Sequence, residues 1–185
     1  SVEGVAAANA LVRLLETDIL GGRVQLNGGR FYVYTSDGVI EAHLLSEGLR
    51  KVASLVRLIV NGSLMRNGFL FWDEPEANLN PKLVTKIAAV LRRLAASGVQ
   101  VFVATHDYLL THELSLGAED ENSLPKELKC PIRFFGMSRS EDGGVTAQPG
   151  EILADLKDNA ILDEFAALYD RRRQLFSDNI EGSQK

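Results

Sequence analysis

The sequence predicts an α/β fold: a mostly parallel sheet flanked by helices, with a small antiparallel meander near the N-terminus. Three observations carry that expectation. Two short apolar runs, 69–72 and 99–104, have the length and composition of strands buried on both faces. Between them the amphipathic stretch 81–96 opens on Pro81 and is closed by Gly98, so strand, helix and strand follow in the order of a parallel crossover. Upstream, the alternating segments 23–27, 30–35 and 39–43 are separated by Asn27-Gly28-Gly29 and Ser36-Asp37-Gly38, which favour the positive backbone angles of tight hairpins.

The remaining elements follow from periodicity. Val5, Ala8, Leu11, Val12 and Leu15 recur at helical spacing and predict a helix over 2–20. Leu49, Val52, Ala53, Val56, Ile59 and Val60 do the same for 46–60. Beyond Tyr108 the polar stretch 117–129 reads as a loop. Strands are expected at 132–137 and 145–148 around Asp142-Gly143-Gly144, and a last amphipathic helix at 161–176. No repeat or low-complexity tract divides the chain. It reads as a single domain or lobe over 1–185: helix and meander in 1–45, a core in 46–150 and a helical segment in 151–185.

Composition bounds the function. The 185 residues are 45% apolar and 24% charged, which fits a globular chain with a real core and excludes a disordered one. Twenty Lys and Arg against 25 Asp and Glu leave a net charge of −5, so a strongly basic nucleic-acid footprint is missing. Arg171-Arg172-Arg173 is a local basic stripe, read first as a solvated helix face. One cysteine, Cys130, excludes an intrachain disulfide framework; it reads as a small buried apolar residue in a reducing compartment. No apolar run reaches the ~18 residues of a membrane span, and Glu3, Arg13, Glu16 and Asp18 do not suit a secretory signal. The expected location is cytoplasmic. Because the chain opens on Ser1, a processed or partial chain is also expected.

The residues that carry chemistry sit at strand ends. Asp73 and Glu74 emerge where the first apolar run stops, at the carboxyl edge where open α/β sheets bind ligands. Adjacent strand residues point opposite ways, so one carboxylate can face a metal and the next a water; a polar turn enforced by Pro75 is the structural alternative. His106 follows the second run at the matching position. His43 and His112 lack such a context and read as structural. Ser46 is a natural N-cap, yet the same helix start offers a hydroxyl, free N–H groups and a dipole for an anion, with Gly48 leaving room for a phosphate.

In order, Ser46-Glu47-Gly48-Leu49-Arg50, Phe69 to Glu74, Glu76-Ala77-Asn78-Leu79-Asn80-Pro81 and Thr105-His106-Asp107 resemble the signature, Walker B, D-loop and switch-histidine motifs of an ABC-type ATPase. The resemblance covers about 22–148 and is nearest to the AAA-family, RecF- and OLD-like, SMC-related branch. That branch is typified by the string Asp73-Glu74-Pro75-Glu76-Ala77-Asn78-Leu79-Asn80-Pro81. Transporter domains usually carry Ser or Thr after the proline and an aspartate in the D-loop. Glu47 and Leu49 stand where the consensus has glycine and glutamine, and no G-x-x-x-x-G-K-[ST] occurs.

What the resemblance implies is the C-terminal half of a P-loop NTPase, completed by an N-terminal Walker A lobe from the same or a separate polypeptide. ATP and Mg²⁺ would be its cofactors. Asp73 would hold Mg²⁺ through water, Glu74 would polarise the attacking water, and His106 would contact the γ-phosphate or the nucleophile. Ser46 and Gly48 would contact the γ-phosphate on the opposing subunit of a homodimer or pseudo-dimer, with Asn78 linking the two sites. The chain alone is expected to be inactive, and the completed assembly to hydrolyse ATP in DNA repair or in defence against foreign DNA, with DNA or an effector protein as partner. The ATP-binding subunit of a transporter and a non-hydrolysing regulatory module are the alternatives. A nuclease is disfavoured, because Glu119, Asp120, Glu121 and Asp142 fall in expected turns rather than at strand ends.

Overall fold

The computed structural model describes residues 2–64, 67–140, 142–157 and 159–182, and its contacts gather in two compact units, Ser1–Pro131 and Ile132–Lys185. The first unit opens with helix α1 (Val2–Leu14), which widens into π-helical turns over Leu15–Leu20 and is closed by Gly21 in the left-handed conformation. The helix predicted over 2–20 is therefore one rod with a widened second half. Its turns are tied to their surroundings: Glu16 accepts from the Val24 amide at 2.8 Å, and Lys86 donates to the Asp18 carbonyl at 2.8 Å.

The meander forms as expected, from β1 (Gly22–Asn27), β2 (Arg30–Thr35) and β3 (Gly38–Glu41), antiparallel throughout. Helix α2 (Glu47–Val60) follows, then β4 (Phe69–Asp73), helix α3 (Pro81–Ala96), β5 (Gln100–Ala104) and helix α4 (Tyr108–Glu119). Strands β4 and β5 pair in parallel, Phe69 opposite Gln100 through Asp73 opposite Ala104. Among the described residues the parallel sheet consists of these two strands. Asn80 caps α3 by accepting from the Lys82 amide at 2.9 Å, with Pro81 where its missing N–H costs nothing. Leu15, Val52, Val56, Ile87, Val90 and Leu110 form the centre of one core that collects α1, α2, α3 and α4.

Two expectations need correction. The apolar runs are not buried on both faces. Leu70 and Trp72 point into the core, while Phe69, Phe71 and Phe102 are 66%, 75% and 44% exposed on the opposite face. There they stack on one another, Phe71 on Phe102 at 4.7 Å between centroids. The polar stretch 117–129 is only partly loop, because α4 continues through Gly117, Ala118 and Glu119 before two short 3-10 turns. Gly117 allows this, since the guanidinium of buried Arg92 lies where its side chain would be.

The second unit contains β6 (Phe134–Arg139) and β7 (Val145–Gly150), an antiparallel hairpin, and helix α5 (Ala160–Gly182). Asn159 accepts from the amides of Ile161 at 3.1 Å and Leu162 at 3.4 Å, at the start of α5. The basic stripe is engaged within its own helix: Arg171 pairs with Glu164 at 2.9 Å and Arg172 lies over the Phe176 ring.

Candidate functional site

In-register pairing of β4 with β5 brings both strand ends to one edge. The Glu74 amide donates to the Ala104 carbonyl at 2.8 Å, extending the ladder one residue past Asp73. Glu74 then turns the chain with φ of +46°, a left-handed conformation that a residue with a Cβ adopts at a cost of about 1–2 kcal/mol. Its carboxylate lies 3.1 Å from Nδ1 of His106, with the two side chains 43% and 80% exposed. Asp73, on the face opposite Trp72, is exposed beside them. The structure thus brings Asp73, Glu74 and His106 to a single open edge.

Behind that edge the segment 75–79 is tightly folded. Ala77 N–H bonds to the Glu74 carbonyl at 3.2 Å and Leu79 N–H to the Glu76 carbonyl at 3.0 Å, while Asn78 takes φ of +60°. Glu76 is buried, and its Oε1 accepts from the Thr105 hydroxyl at 2.6 Å, whereas Oε2 has no partner among the described residues. Thr105 Oγ1 also accepts from the Asp107 amide at 3.0 Å, and Asp107 caps α4 through the Leu110 amide at 2.7 Å. Sequence reasoning passed over the Glu76–Thr105 pair. The available signal was a polar residue just beyond each of two adjacent strands, too common to single out.

Ser46, Gly48 and Asn78 gather at the start of α2. Ser46 is the N-cap residue of α2, as expected, but among the described residues its side chain makes no cap hydrogen bond, and the residue is exposed. Gly48 is buried, and a Cβ there would lie 2.5 Å from the Ala77 carbonyl oxygen and 2.7 Å from Leu79 Cδ2. Its missing side chain makes room for the 75–79 segment of its own chain. Asn78 Nδ2 donates to Glu47 Oε2 at 3.2 Å, so the Glu47 that departs from the consensus has a local partner. Lys51, one turn along α2, donates to the carbonyls of Asp73 at 3.0 Å and Glu74 at 3.1 Å.

Among the described residues no group of three or more His, Cys, Asp or Glu side chains could hold a metal ion. The donor set fits Mg²⁺ in a narrower way. Magnesium keeps several waters and takes one or two carboxylates together with substrate phosphate oxygens, and exposed Asp73 suits that arrangement.

Solved structures define the class of this fold. The Smc head domain of Pyrococcus furiosus bound to the C-terminal domain of ScpA superposes with a TM-score of 0.54 at 14% identity, over 93% of this chain and 38% of that one. An SMC head bound to the C-winged helix domain of ScpA gives 0.56 at 15% identity, over 84% and 45%. An SMC ATPase studied for ATP-driven dimerization and DNA stimulated activation gives 0.53 at 15%, over 89% and 92%. The fold is that of an SMC ATPase head, within the P-loop NTPase class.

Residues 6–111, more than half of the chain, match the family described as "AAA domain, putative AbiEii toxin, Type IV TA system", and the chain belongs to that family of ABC/AAA-type ATPases. The cobalt import ATP-binding protein CbiO of Salmonella typhimurium is 36% identical over 72 residues, 38% of this chain and 25% of its own length. The DNA double-strand break repair Rad50 ATPase of Sulfurisphaera tokodaii is 37% identical over 79 residues, 41% of this chain and 9% of its own. The chain spans about a quarter of the length of the first curated relatives it matches. No described helix is long and apolar enough to cross a membrane.

Proposed function

We propose that this chain is the Walker B and signature lobe of an ATP-hydrolysing assembly that works in the cytoplasm in DNA repair or in defence against foreign DNA. The observation that supports this most is the open edge where Glu74 meets His106 at 3.1 Å beside exposed Asp73. In-line phosphoryl transfer needs positioned charge more than covalent chemistry. Glu74 orients and polarises the attacking water, accepting its proton as the new bond to the γ-phosphorus forms and the bond from that phosphorus to the departing ADP oxygen breaks. His106, held by Glu74, faces the γ-phosphate. Asp73 would hold Mg²⁺ through water, and the metal's chemistry there is to neutralise charge on the phosphate oxygens. Ser46, its hydroxyl uninvolved in capping, and Gly48 would face the nucleotide of an opposing subunit, and Asn78 would lie where the two sites meet.

A second lobe bearing the glycine-rich phosphate loop and its lysine completes the site. The bare face of Phe69, Phe71 and Phe102 supports this, because parallel strands are ordinarily covered on both faces. This chain alone is inactive on that reading. The toxin–antitoxin wording of the family and the Rad50 relative favour a role on DNA or in defence. The import and permease relatives, CbiO and the octopine permease ATP-binding protein P of Rhizobium meliloti at 34% identity over 71 residues, favour a transporter subunit as the second reading.

The test uses the assembly containing the phosphate-binding lobe. Glu74→Gln lowers ATP turnover by ~10²-fold or more while leaving nucleotide affinity intact, as expected for loss of a general base. Asp73→Asn instead weakens Mg²⁺-dependent binding itself. Parental turnover by Glu74→Gln would remove Glu74 from the reaction. Stimulation of turnover by duplex DNA separates the first reading from a transporter subunit, which would respond to a membrane permease.

A further inference from the structure

We infer that Lys51 is a positioning residue for Glu74: its ammonium holds the two carbonyls that flank the left-handed turn from which the Glu74 carboxylate reaches His106. The inference rests on the reading of Glu74 as the water-activating carboxylate.

In an extended strand, successive carbonyls point to opposite sides, so one donor cannot serve two in a row. Here Lys51 Nζ lies 3.0 Å from the Asp73 carbonyl and 3.1 Å from that of Glu74. The carbonyls converge because Glu74 between them has φ of +46°. A non-glycine residue stays in that region only where its surroundings over-determine it. On one side the Glu74 amide is fixed to Ala104 at 2.8 Å, and the Ala77 amide reaches the Glu74 carbonyl at 3.2 Å. Those bonds are neutral. The ammonium adds two charge-assisted ones from a separate helix, and its side chain is only 29% exposed.

The same geometry argues that Lys51 does not bind nucleotide. Its donors are directed at the two backbone carbonyls and, at 3.9 Å, at Glu47 Oε1. Glu47 in turn accepts from Asn78 at 3.2 Å, so the first turns of α2 and the 73–78 segment are bolted together at two places. Removing the ammonium releases the Glu74 peptide toward an ordinary extended conformation and swings the carboxylate away from His106.

The experiment has two arms. In the 185-residue chain itself, Lys51→Met accelerates hydrogen exchange at the Glu74 and Ala77 amides by ~10-fold or more, the scale of a lost charge-assisted bond. Exchange in the helices rises by no more than the same factor, and the unfolding temperature falls by no more than a few degrees. In the complete assembly, Lys51→Met lowers kcat by ~10-fold with the KM for ATP unchanged. Lys51→Arg, which also reaches two carbonyls, restores most of it. On a Glu74→Gln background Lys51→Met adds no further loss, because it acts only through that carboxylate. Should Lys51→Met fail to fold, Lys51→Gln, which keeps a neutral donor, takes its place with a smaller change in the same direction. Unchanged exchange at Glu74, a rise in KM with kcat intact, or losses that multiply in the double variant would each overturn the assignment. If Glu74→Gln turns over ATP normally, the reading of Glu74 fails, while the exchange arm still decides whether Lys51 holds the turn.

Discussion

Gly48→Ala separates two reasons for a glycine at the start of α2, and the sign of its effect decides between them. If the glycine serves only a nucleotide, alanine in the nucleotide-free chain should stabilise the helix by about 0.5–1 kcal/mol. The structure predicts the opposite. The added Cβ would sit 2.5 Å from the Ala77 carbonyl oxygen, 2.7 Å from Leu79 Cδ2 and 2.9 Å from Leu79 Cγ, all well inside ordinary contact. The Leu79 side chain can rotate aside. The Ala77 carbonyl cannot do so cheaply, because its residue is held through the Glu74 carbonyl at 3.2 Å and the next turn through Glu76 at 3.0 Å. Overpacking of this kind costs about 1–3 kcal/mol. Set against the gain in helix propensity, a mid-range overpacking cost of about 2 kcal/mol leaves a net loss of about 1–1.5 kcal/mol. Equilibrium urea unfolding, followed through the fluorescence of the single, buried tryptophan Trp72, measures it directly. With a slope near 2 kcal/mol/M the midpoint falls by about 0.5–0.75 M. A midpoint at or above the parental value would refute the packing argument.

Two further outcomes follow from buried polar groups. Thr105→Val leaves the buried Glu76 carboxylate without its 2.6 Å hydrogen bond while Oε2 already lacks a partner among the described residues, and should cost about 1–3 kcal/mol in urea unfolding; Thr105→Ser should recover most of it. Burial pushes the Cys130 thiol above its usual range, against an opposing pull from Arg92, so Cys130 should react slowly with a disulfide reagent at pH 8 until urea unfolds the chain. The folded thiol binds its proton more tightly than the unfolded one, so the stability it contributes is full below the unfolded value near 9.0 and declines as pH rises above it. A pH series of urea midpoints for the parent and Cys130→Ala checks the sign, the decline being weaker in the variant.

The order of the motifs was readable because it depends on local chemistry. Apolar strands that end in Asp73-Glu74 and Thr105-His106, with a proline-started helix between them, announce themselves in one dimension. In-register parallel pairing then brings those ends to one edge, as the crossover rule requires. Periodicity also located β1, β2 and β3, whose turns are specified by Gly28, Gly29 and Gly38 at positive φ. The bare face of Phe69, Phe71 and Phe102 was not readable. A continuous apolar run looks the same whether both faces are covered within the chain or one awaits another element. Nor does composition mark the division after Pro131, which depends on which residues touch and not on which residue types are present.

The sequence by itself determined most of the secondary elements, though not α4, together with the strand-end carboxylates and histidine and the lack of a phosphate-loop lysine within these 185 residues, because these are matters of residue type and spacing. Only the tertiary structure decided that Gly48 is small for Ala77 and Leu79, that Glu76 lies buried beneath Thr105, and that Lys51 reaches the Asp73 and Glu74 carbonyls. Each of those contacts joins residues more than twenty positions apart. Their side chains meet only after α2, β4 and β5 have packed, and no local pattern encodes which polar group a distant cation or hydroxyl will find once that core has closed.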